Sequence, residues 1–174
     1  MGSRDTGVTE GKQEVGTPPL LITNLRATLL RARVLIDLAA DDKLHVTSSY
    51  VTSLFDELPL LNSFEPLTRF EEDGWFLNPP WKQSARFIRR ALELRQEADN
   101  SPDLAALVPA AVGCKWWREL VIEGKPRPDV FFPNPRVTFI GYKDTATRET
   151  AILLWTRAST GKHNYWNWET GQIY

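Results

Sequence analysis

An apolar run that stops at two consecutive prolines is the feature that most constrains the fold of this chain. Trp75-Phe76-Leu77 is typical of a buried strand, and Asn78-Pro79-Pro80-Trp81 follows it directly. Because proline lacks a backbone N–H and fixes φ, neither a strand ladder nor a helix continues through residues 79 and 80. The sequence therefore predicts a strand over residues 74–78 with an amide and an aromatic ring at its carboxyl end.

The four residues that end this strand suggest a chemistry. The Asn78 amide can accept and donate hydrogen bonds, the two prolines expose carbonyl groups, and Trp81 offers a flat ring. Such groups could accept the two hydrogens of a planar amine while the ring stacks on the attached base, as methylation of an exocyclic amine requires. A Pro-Pro turn that only closes a strand is the alternative, and the tetrapeptide by itself favours neither.

Strand-like and helix-like segments alternate along the rest of the chain. The strands are predicted over residues 34–38, 104–108, 130–132, 136–140 and 151–155. The helices are predicted over 23–31 (capped by Thr23-Asn24), 83–98 and 115–122, and one helix over 22–40 is an alternative to the first helix and strand. The last two strands flank a polar loop at 143–150, which indicates a hairpin. The pattern predicts an α/β fold with a mostly parallel sheet and an antiparallel C-terminal hairpin.

The chain divides into a central domain and two flanking segments. Residues 1–17 are polar and predict a flexible tail, residues 18–157 form the domain, and residues 158–174 form an aromatic-rich C-terminal tail. The aromatic residues of that tail could stack on nucleic acid or fold back on the sheet. Residues 43–73 are irregular, with a turn near 55–58.

Composition excludes several classes of protein. A length of 174 residues supports one domain with a core, and a net charge of −1 argues against a protein held on nucleic acid by bulk charge. One cysteine rules out an internal disulfide, and with two histidines it makes a zinc site unexpected, so no metal is predicted. No apolar stretch approaches the roughly 20 residues that cross a bilayer, and the N-terminus has no apolar signal core. We expect a protein of the cytoplasm or another reducing compartment that is neither secreted nor membrane-bound.

Two groups of candidate residues follow predicted strands. Asp37 and Ala39 lie at the end of the strand over 34–38, and Asn78 to Trp81 end the strand over 74–78. In mostly parallel sheets, ligands bind beyond the carboxyl ends of the strands. The sequence therefore predicts that both groups lie at one edge of the sheet and line one site.

Five segments, in this order, resemble the phage-type (Dam-like) DNA adenine N6-methyltransferase family. They cover roughly residues 20–157 and are Ile36-Asp37-Leu38-Ala39-Ala40-Asp41, Phe55-Asp56-Glu57-Leu58, Trp75 to Trp81, Ala106 to Ala110 with Trp116-Trp117, and Arg136-Val137-Thr138-Phe139. The family more often has tyrosine where this chain has Trp81, and tryptophan at that place is common in related amino-methyltransferases.

The resemblance implies a Rossmann-like sheet, an S-adenosylmethionine cofactor and a DNA substrate. It assigns the catalytic roles to Asn78, Pro79, Pro80 and Trp81, with Trp81 stacking on a base flipped from the duplex. Contacts to the cofactor would come from Asp37, Ala39 and Asp56. Contacts to DNA phosphates would come from Lys82, Arg86 and Arg89.

Other readings of the same residues stay open. No glycine-rich loop follows the first strand, which favours a catalytically inactive binding or scaffold subunit of the same fold. An amino-methyltransferase that acts on RNA or protein is also compatible, and the chain could work as a homo-oligomer or with a partner subunit. Individually, Asp37 could only cap a turn, Asp56 could be a solvated acid, and the basic side chains could form a solvated helix face.

Overall fold

Seven strands form one mixed sheet. The structure, a computed structural model, describes residues 16–32, 35–40, 45–57, 59–61, 66–67, 74–98, 100–141 and 148–174. The strands are β1 (Leu35–Asp37), β2 (Ser49–Tyr50), β3 (Gly74–Leu77), β4 (Leu104–Pro109), β5 (Asp129–Pro133), β6 (Thr150–Trp155) and β7 (His163–Trp166), in the spatial order β2-β1-β3-β4-β6-β5-β7. Only β6 runs antiparallel to its neighbours in this described sheet. The prediction of a mostly parallel α/β sheet is confirmed.

Helices cover both faces of the sheet. One face, the α2 face, packs against α2 (Ser84–Glu97) and against a helix that begins as α3 (Lys115–Trp117) and continues in π-helical geometry over Arg118–Ile122. The other face, the α1 face, packs against α1 (Pro19–Asn24) and its π-helical continuation Leu25–Leu30. Strand side chains alternate between the faces, so Leu77 lies in the α2-face core and Phe76 in the α1-face core.

The N-terminal helix begins earlier than its predicted cap. Pro19 starts the helix, and the Thr23 hydroxyl donates to the Pro19 carbonyl within it, so Thr23 and Asn24 do not cap its start. The helix ends at Arg31, which has a φ of 52°, and a strand follows at Leu35. The alternative of one helix over residues 22–40 is therefore wrong, because the left-handed residue breaks the helix.

The predicted C-terminal hairpin is not the pairing that forms. Strand β6 lies between β4 and β5 and pairs antiparallel with both. All six residues of β6 are buried, as expected for a central strand rather than an edge strand. Residues 136–140 form no strand apart from one bridge between Ile140 and Gly16, and the buried side chains of Val137 and Phe139 pack onto the α1 face instead.

Two segments contribute structure that the pattern did not indicate. Strand β2 lies within the irregular region and is too short, at two residues, to show a period. The segment after residue 157 supplies β7, whose Trp166 is fully buried. Parts of several predicted features lie outside the described residues: residues 1–15 of the predicted tail, residue 34, Asp41, Leu58, residues 62–65 and 68–73, and residues 142–147.

Candidate active site

Among the parallel strands β1 to β4, the strand order reverses between β1 and β3, and the candidate residues flank that point. The chain passes from β1 to β2 on one side and from β3 to β4 on the other, so the reversal lies between β1 and β3. Ligands of open α/β sheets bind in the crevice at such a point. Asp37 is the last residue of β1 and Asn78 follows the last residue of β3.

The register places Asp37 and Asn78 on the same face. Asp37 pairs with Phe76, and the Leu38 N–H donates to the Phe76 carbonyl at 2.8 Å. Asn78 is two residues beyond Phe76, so its side chain points to the α1 face, as does that of Asp37. Strand spacing and rise put their Cα atoms roughly 8 Å apart. This register therefore brings the two predicted groups together at one edge of the sheet.

Two prolines on neighbouring strands end the hydrogen-bond ladder beside Asn78. Leu77 pairs with Ala106, so the next two ladder bonds would join the N–H of residue 79 to the Leu107 carbonyl and the N–H of residue 109 to the carbonyl of residue 79. Both residues are proline and have no N–H. The Pro79 carbonyl accordingly accepts no hydrogen bond from any group in the described ranges.

The Asn78 amide is oriented by a residue of the N-terminal segment. Asn78 Nδ2 donates to Thr17 Oγ1 at 3.0 Å, and Thr17 is buried. The Gly16 carbonyl accepts from the Ile140 N–H at 2.8 Å, which fixes this segment across the sheet edge. With Nδ2 bound, Asn78 Oδ1 is the atom of the amide left to accept hydrogen bonds from a ligand.

Trp81 begins a short helical turn beside the site. The Gln83 N–H donates to the Pro80 carbonyl at 2.7 Å, and the Ser84 hydroxyl donates to the Trp81 carbonyl at 2.9 Å, so the chain turns directly from Pro80 into α2. The Trp81 ring is partly exposed and contacts buried Phe139 edge-on, with ring centroids 6.0 Å apart. One edge of the indole is therefore fixed, and a partly exposed aromatic surface remains at the site.

Asp37 holds the loop that follows β1. Its carboxylate accepts from the Ala39 N–H at 3.1 Å and from the Val46 N–H at 3.2 Å. Burial raises the pKa of Asp37 above its usual value, while these two hydrogen bonds and nearby His45 lower it in part. A carboxylate has about four acceptor positions, so two remain for a ligand. Ala39 contributes its backbone N–H to the hydrogen bond with Asp37, and its side chain lies half-buried on the α2 face.

Asp56 lies beside α2, away from the crevice. Its backbone carbonyl accepts from Arg90 at 2.9 Å, and Arg90 lies in the middle of α2. The Asp56 residue is exposed. The structure brings Asp37, Ala39 and Asn78 together at one edge and does not bring Asp56 to them.

The three basic residues predicted to contact phosphate differ in their surroundings. The Arg86 guanidinium lies 3.9 Å from the centre of the Phe55 ring, and Arg89 forms an ion pair with Glu119 at 2.7 Å. Lys82 is exposed and forms no ion pair within the described ranges. Lys82 is therefore the basic side chain nearest the Pro-Pro turn that is free to meet an anionic ligand.

Sequence reasoning missed Thr17 and Phe139 as residues of the site. Thr17 lies 61 residues from Asn78 and belonged to the predicted tail, so no local pattern connects the two. Phe139 was part of a predicted strand. In the sequence, apolar Val137 and Phe139 alternate with the polar residues that precede them. This alternation is typical of a strand, but a segment that packs onto a sheet face shows it as well.

Comparison of the chain with protein-family models, with curated proteins and with solved structures gives no match. Among the helices that the structure describes, none is long and apolar enough to cross a membrane. No group of three or more His, Cys, Asp or Glu side chains suited to a metal ion occurs within the described ranges. The function is therefore argued from the geometry of the crevice.

Proposed function

We propose that this protein transfers a methyl group from S-adenosylmethionine to the exocyclic N6 amine of adenine in DNA. The observation that carries the proposal is the pair of unused acceptors at the point where the strand order reverses. Asn78 Oδ1 is left free by the bond from Nδ2 to Thr17, and the Pro79 carbonyl is left free because its ladder partner, residue 109, is a proline without an N–H. The partly exposed Trp81 ring follows two residues later.

The two acceptors suit an amine that is a weak nucleophile. The lone pair of the N6 amine is delocalised into the adenine ring. Asn78 Oδ1 and the Pro79 carbonyl each accept one amine hydrogen, which draws the nitrogen towards tetrahedral geometry and directs its lone pair away from the ring. Trp81 stacks on the flipped base and recovers part of the cost of unstacking it. The nitrogen releases one proton to water after transfer, because neither acceptor is basic.

The cofactor would lie in the crevice beside Asp37. When bound, S-adenosylmethionine supplies a sulfonium-linked methyl group, which is the electrophile of the reaction. The two acceptor positions that remain on the Asp37 carboxylate suit the ammonium of the cofactor's amino-acid end, and the Ala39 backbone borders the same loop. Asp56 is a weaker candidate, since Arg90 ties its backbone to the middle of α2. Lys82 is the preferred contact to a DNA phosphate.

A binding or scaffold subunit without catalysis is the second candidate. Two observations favour it: Asp37 already accepts two backbone hydrogen bonds, and the loop after β1 lacks the glycines that allow a backbone to approach a cofactor. Calorimetric titration of the full chain with S-adenosylmethionine separates the two candidates. Saturable binding that is lost in Asp37→Ala supports the enzyme, and no binding with or without DNA supports the scaffold.

The direct test measures N6-methyladenine in unmethylated DNA after incubation with the protein and S-adenosylmethionine. We expect methylation by the wild type and a loss of about 100-fold or more in Asn78→Ala, in line with the removal of one preorganised group at a reacting centre. Gln83→Ala is the matched control, because Gln83 is exposed in the same turn and only its backbone is bonded.

Two results would contradict the proposed chemistry. Full activity in Asn78→Ala would exclude the role of its side-chain oxygen. Methylation of RNA or of protein amides, with none of DNA, would keep the chemistry and replace the substrate.

A further inference from the structure

The C-terminal edge of the sheet carries a group of two exposed rings and one partly buried ring that the proposed active site does not use. We call Phe132, His163 and Tyr165 the aromatic platform. The Phe132 and Tyr165 ring centroids lie 5.8 Å apart, and those of Phe132 and His163 lie 6.3 Å apart. Tyr165 is 61% exposed, which is high for a ring that packs against another aromatic residue. The platform is therefore a formed surface and not a buried contact.

The strand register explains why these rings share one face. Phe132 of β5 pairs with Tyr165 of β7, and His163 is two residues before Tyr165. Their side chains point to the α2 face, where Phe132 adjoins the core. Their neighbours Phe131 and Trp166 point to the α1 face and are buried. The alternation separates a core-facing set from a solvent-facing set on the same two strands.

The ring of Tyr174 is a further exposed aromatic ring beside the platform. The backbones of Tyr165 and Tyr174 exchange hydrogen bonds, with N···O distances of 2.9 and 3.4 Å. Residues that pair in this way present their side chains on the same face, so Tyr174 stands beside the platform. Tyr174 is 62% exposed. Three adjacent segments thus each place one six-membered aromatic ring on this face, and the rings of Tyr165 and Tyr174 are mostly exposed whereas that of Phe132 is partly buried.

The charges near the platform favour an anionic ligand. Arg127 packs beside Gly161, two residues before His163. Lys162 directly precedes His163, so alternation directs its side chain to the opposite face. Neither cation forms an ion pair within the part of the chain that the structure describes. The nearest acid on these strands, Asp129, accepts three backbone N–H groups, from Thr160, Gly161 and Lys162, at 2.9 to 3.0 Å. These three hydrogen bonds occupy the Asp129 carboxylate, and Arg127 remains available for an anionic ligand.

We infer that the platform binds unpaired nucleobases by stacking, with a phosphate contacted by Arg127. Aromatic rings on a sheet surface with cations beside them are how several nucleic-acid-binding folds hold single strands. A duplex would not fit this chemistry, because its base faces are already stacked. The platform lies four strand spacings from β3, roughly 19 Å, and on the opposite face from Asn78. It is a separate site that does not depend on the proposed methyl transfer.

The test measures binding of fluorescently labelled single-stranded oligo-dT and oligo-U, and of a labelled duplex, to the full chain at low salt by fluorescence anisotropy. We expect saturable binding of a single strand that Tyr165→Ala weakens by about 5- to 100-fold. Tyr165→Phe keeps the ring and should bind as the wild type. Leu20→Ala is the control for loss of an exposed apolar side chain elsewhere, since Leu20 is 49% exposed on α1.

A second variant reports on the phosphate contact. Arg127→Ala should reduce the slope of log affinity against log salt by about 1. Preference for oligo-dT or for oligo-U identifies the source of the unpaired bases, and either supports the site. Absence of single-strand binding, binding of the duplex alone, or equal binding by wild type and Tyr165→Ala would each overturn it. Methyl transfer is scored separately, so the two proposals fail independently.

Discussion

At the scale of single residues, the proposed chemistry depends on the orientation of one amide. The hydrogen bond between Asn78 Nδ2 and Thr17 Oγ1 holds the amide and leaves Oδ1 as its free acceptor. Without that bond, the amide could rotate and present a donor where the proposed chemistry needs an acceptor. In the proposed reaction, Thr17 is thus a positioning residue, because it acts through Asn78 and need not touch a ligand.

We expect Thr17→Val to lower the rate of methyl transfer and to destabilise the fold by about 1–3 kcal/mol, because it leaves a part-buried amide donor unpaired. Thr17→Ser retains the hydroxyl and should restore both. Urea unfolding and a methyl-transfer assay measure the two effects. Wild-type stability and kcat in Thr17→Val would show that the bond does not orient Asn78.

The buried carboxyl of Asp37 predicts a dependence of stability on pH. Because burial raises its pKa in the folded state, the folded protein binds the proton more tightly than the unfolded chain. Stability contributed by this group is therefore present below the unfolded pKa and is lost as the pH rises through the raised folded pKa.

Urea unfolding over a series of pH values checks this sign in the wild type and in Asp37→Asn. The difference in free energy of unfolding, wild type minus variant, should fall as the pH rises above the ordinary value of 3.8 and then become constant. A difference that rises with pH would mean that hydrogen bonds to the carboxylate outweigh its burial.

At the scale of elements, the close approach of the N-terminal helix to β3 depends on a glycine. A Cβ placed on Gly74 would lie 2.8 Å from Ala32 Cβ and 3.3 Å from Leu30 Cδ1. Gly74 begins β3, so this contact sets how near the end of the helix comes to the strand that carries Asn78. No side chain fits there without moving one of the two elements.

We expect Gly74→Ala to destabilise the protein by about 1–3 kcal/mol, because overpacking forces a shift of the helix or the strand. Gly113→Ala is the matched control, since a Cβ at Gly113 meets nothing within 4 Å. Thermal or urea unfolding of both variants provides the comparison. Equal stability of the two variants would mean that the helix end moves freely.

At the scale of the whole molecule, the C-terminal segment is part of the fold. Trp166 is fully buried in the α1-face core, and the Trp168 indole donates to the Pro135 carbonyl at 2.7 Å. Asn24 of α1 donates to the Trp168 carbonyl at 2.8 Å and so joins the segment to the N-terminal helix. The first and last described elements of the chain thus close the same core.

Adjacent aromatic residues of β7 should therefore differ sharply in their contribution to stability. We expect Trp166→Ala to cost about 3–5 kcal/mol, because it leaves a large cavity in the α1-face core. Tyr165→Ala should change stability by about 0.5 kcal/mol or less, since Tyr165 is mostly exposed. Circular dichroism melts of the two variants measure this. Similar melting temperatures would mean that the segment after residue 157 does not stabilise the core.

The sequence by itself determined the features that depend on near neighbours. Proline at positions 79 and 80 ends β3 in any tertiary context, because the missing backbone N–H is a property of the residue itself. The apolar stripe of α2, with Ile88, Ala91 and Leu94 buried, follows from helical periodicity.

Only the tertiary structure decided which distant segments meet. Three features depend on contacts between residues far apart in sequence. These are the insertion of β6 between β4 and β5, the hydrogen bond from Asn78 to Thr17, and the division of β7 into a buried and an exposed face. Local patterns state that a segment is apolar or alternating. Which partner covers that segment depends on how the whole chain buries its apolar surface.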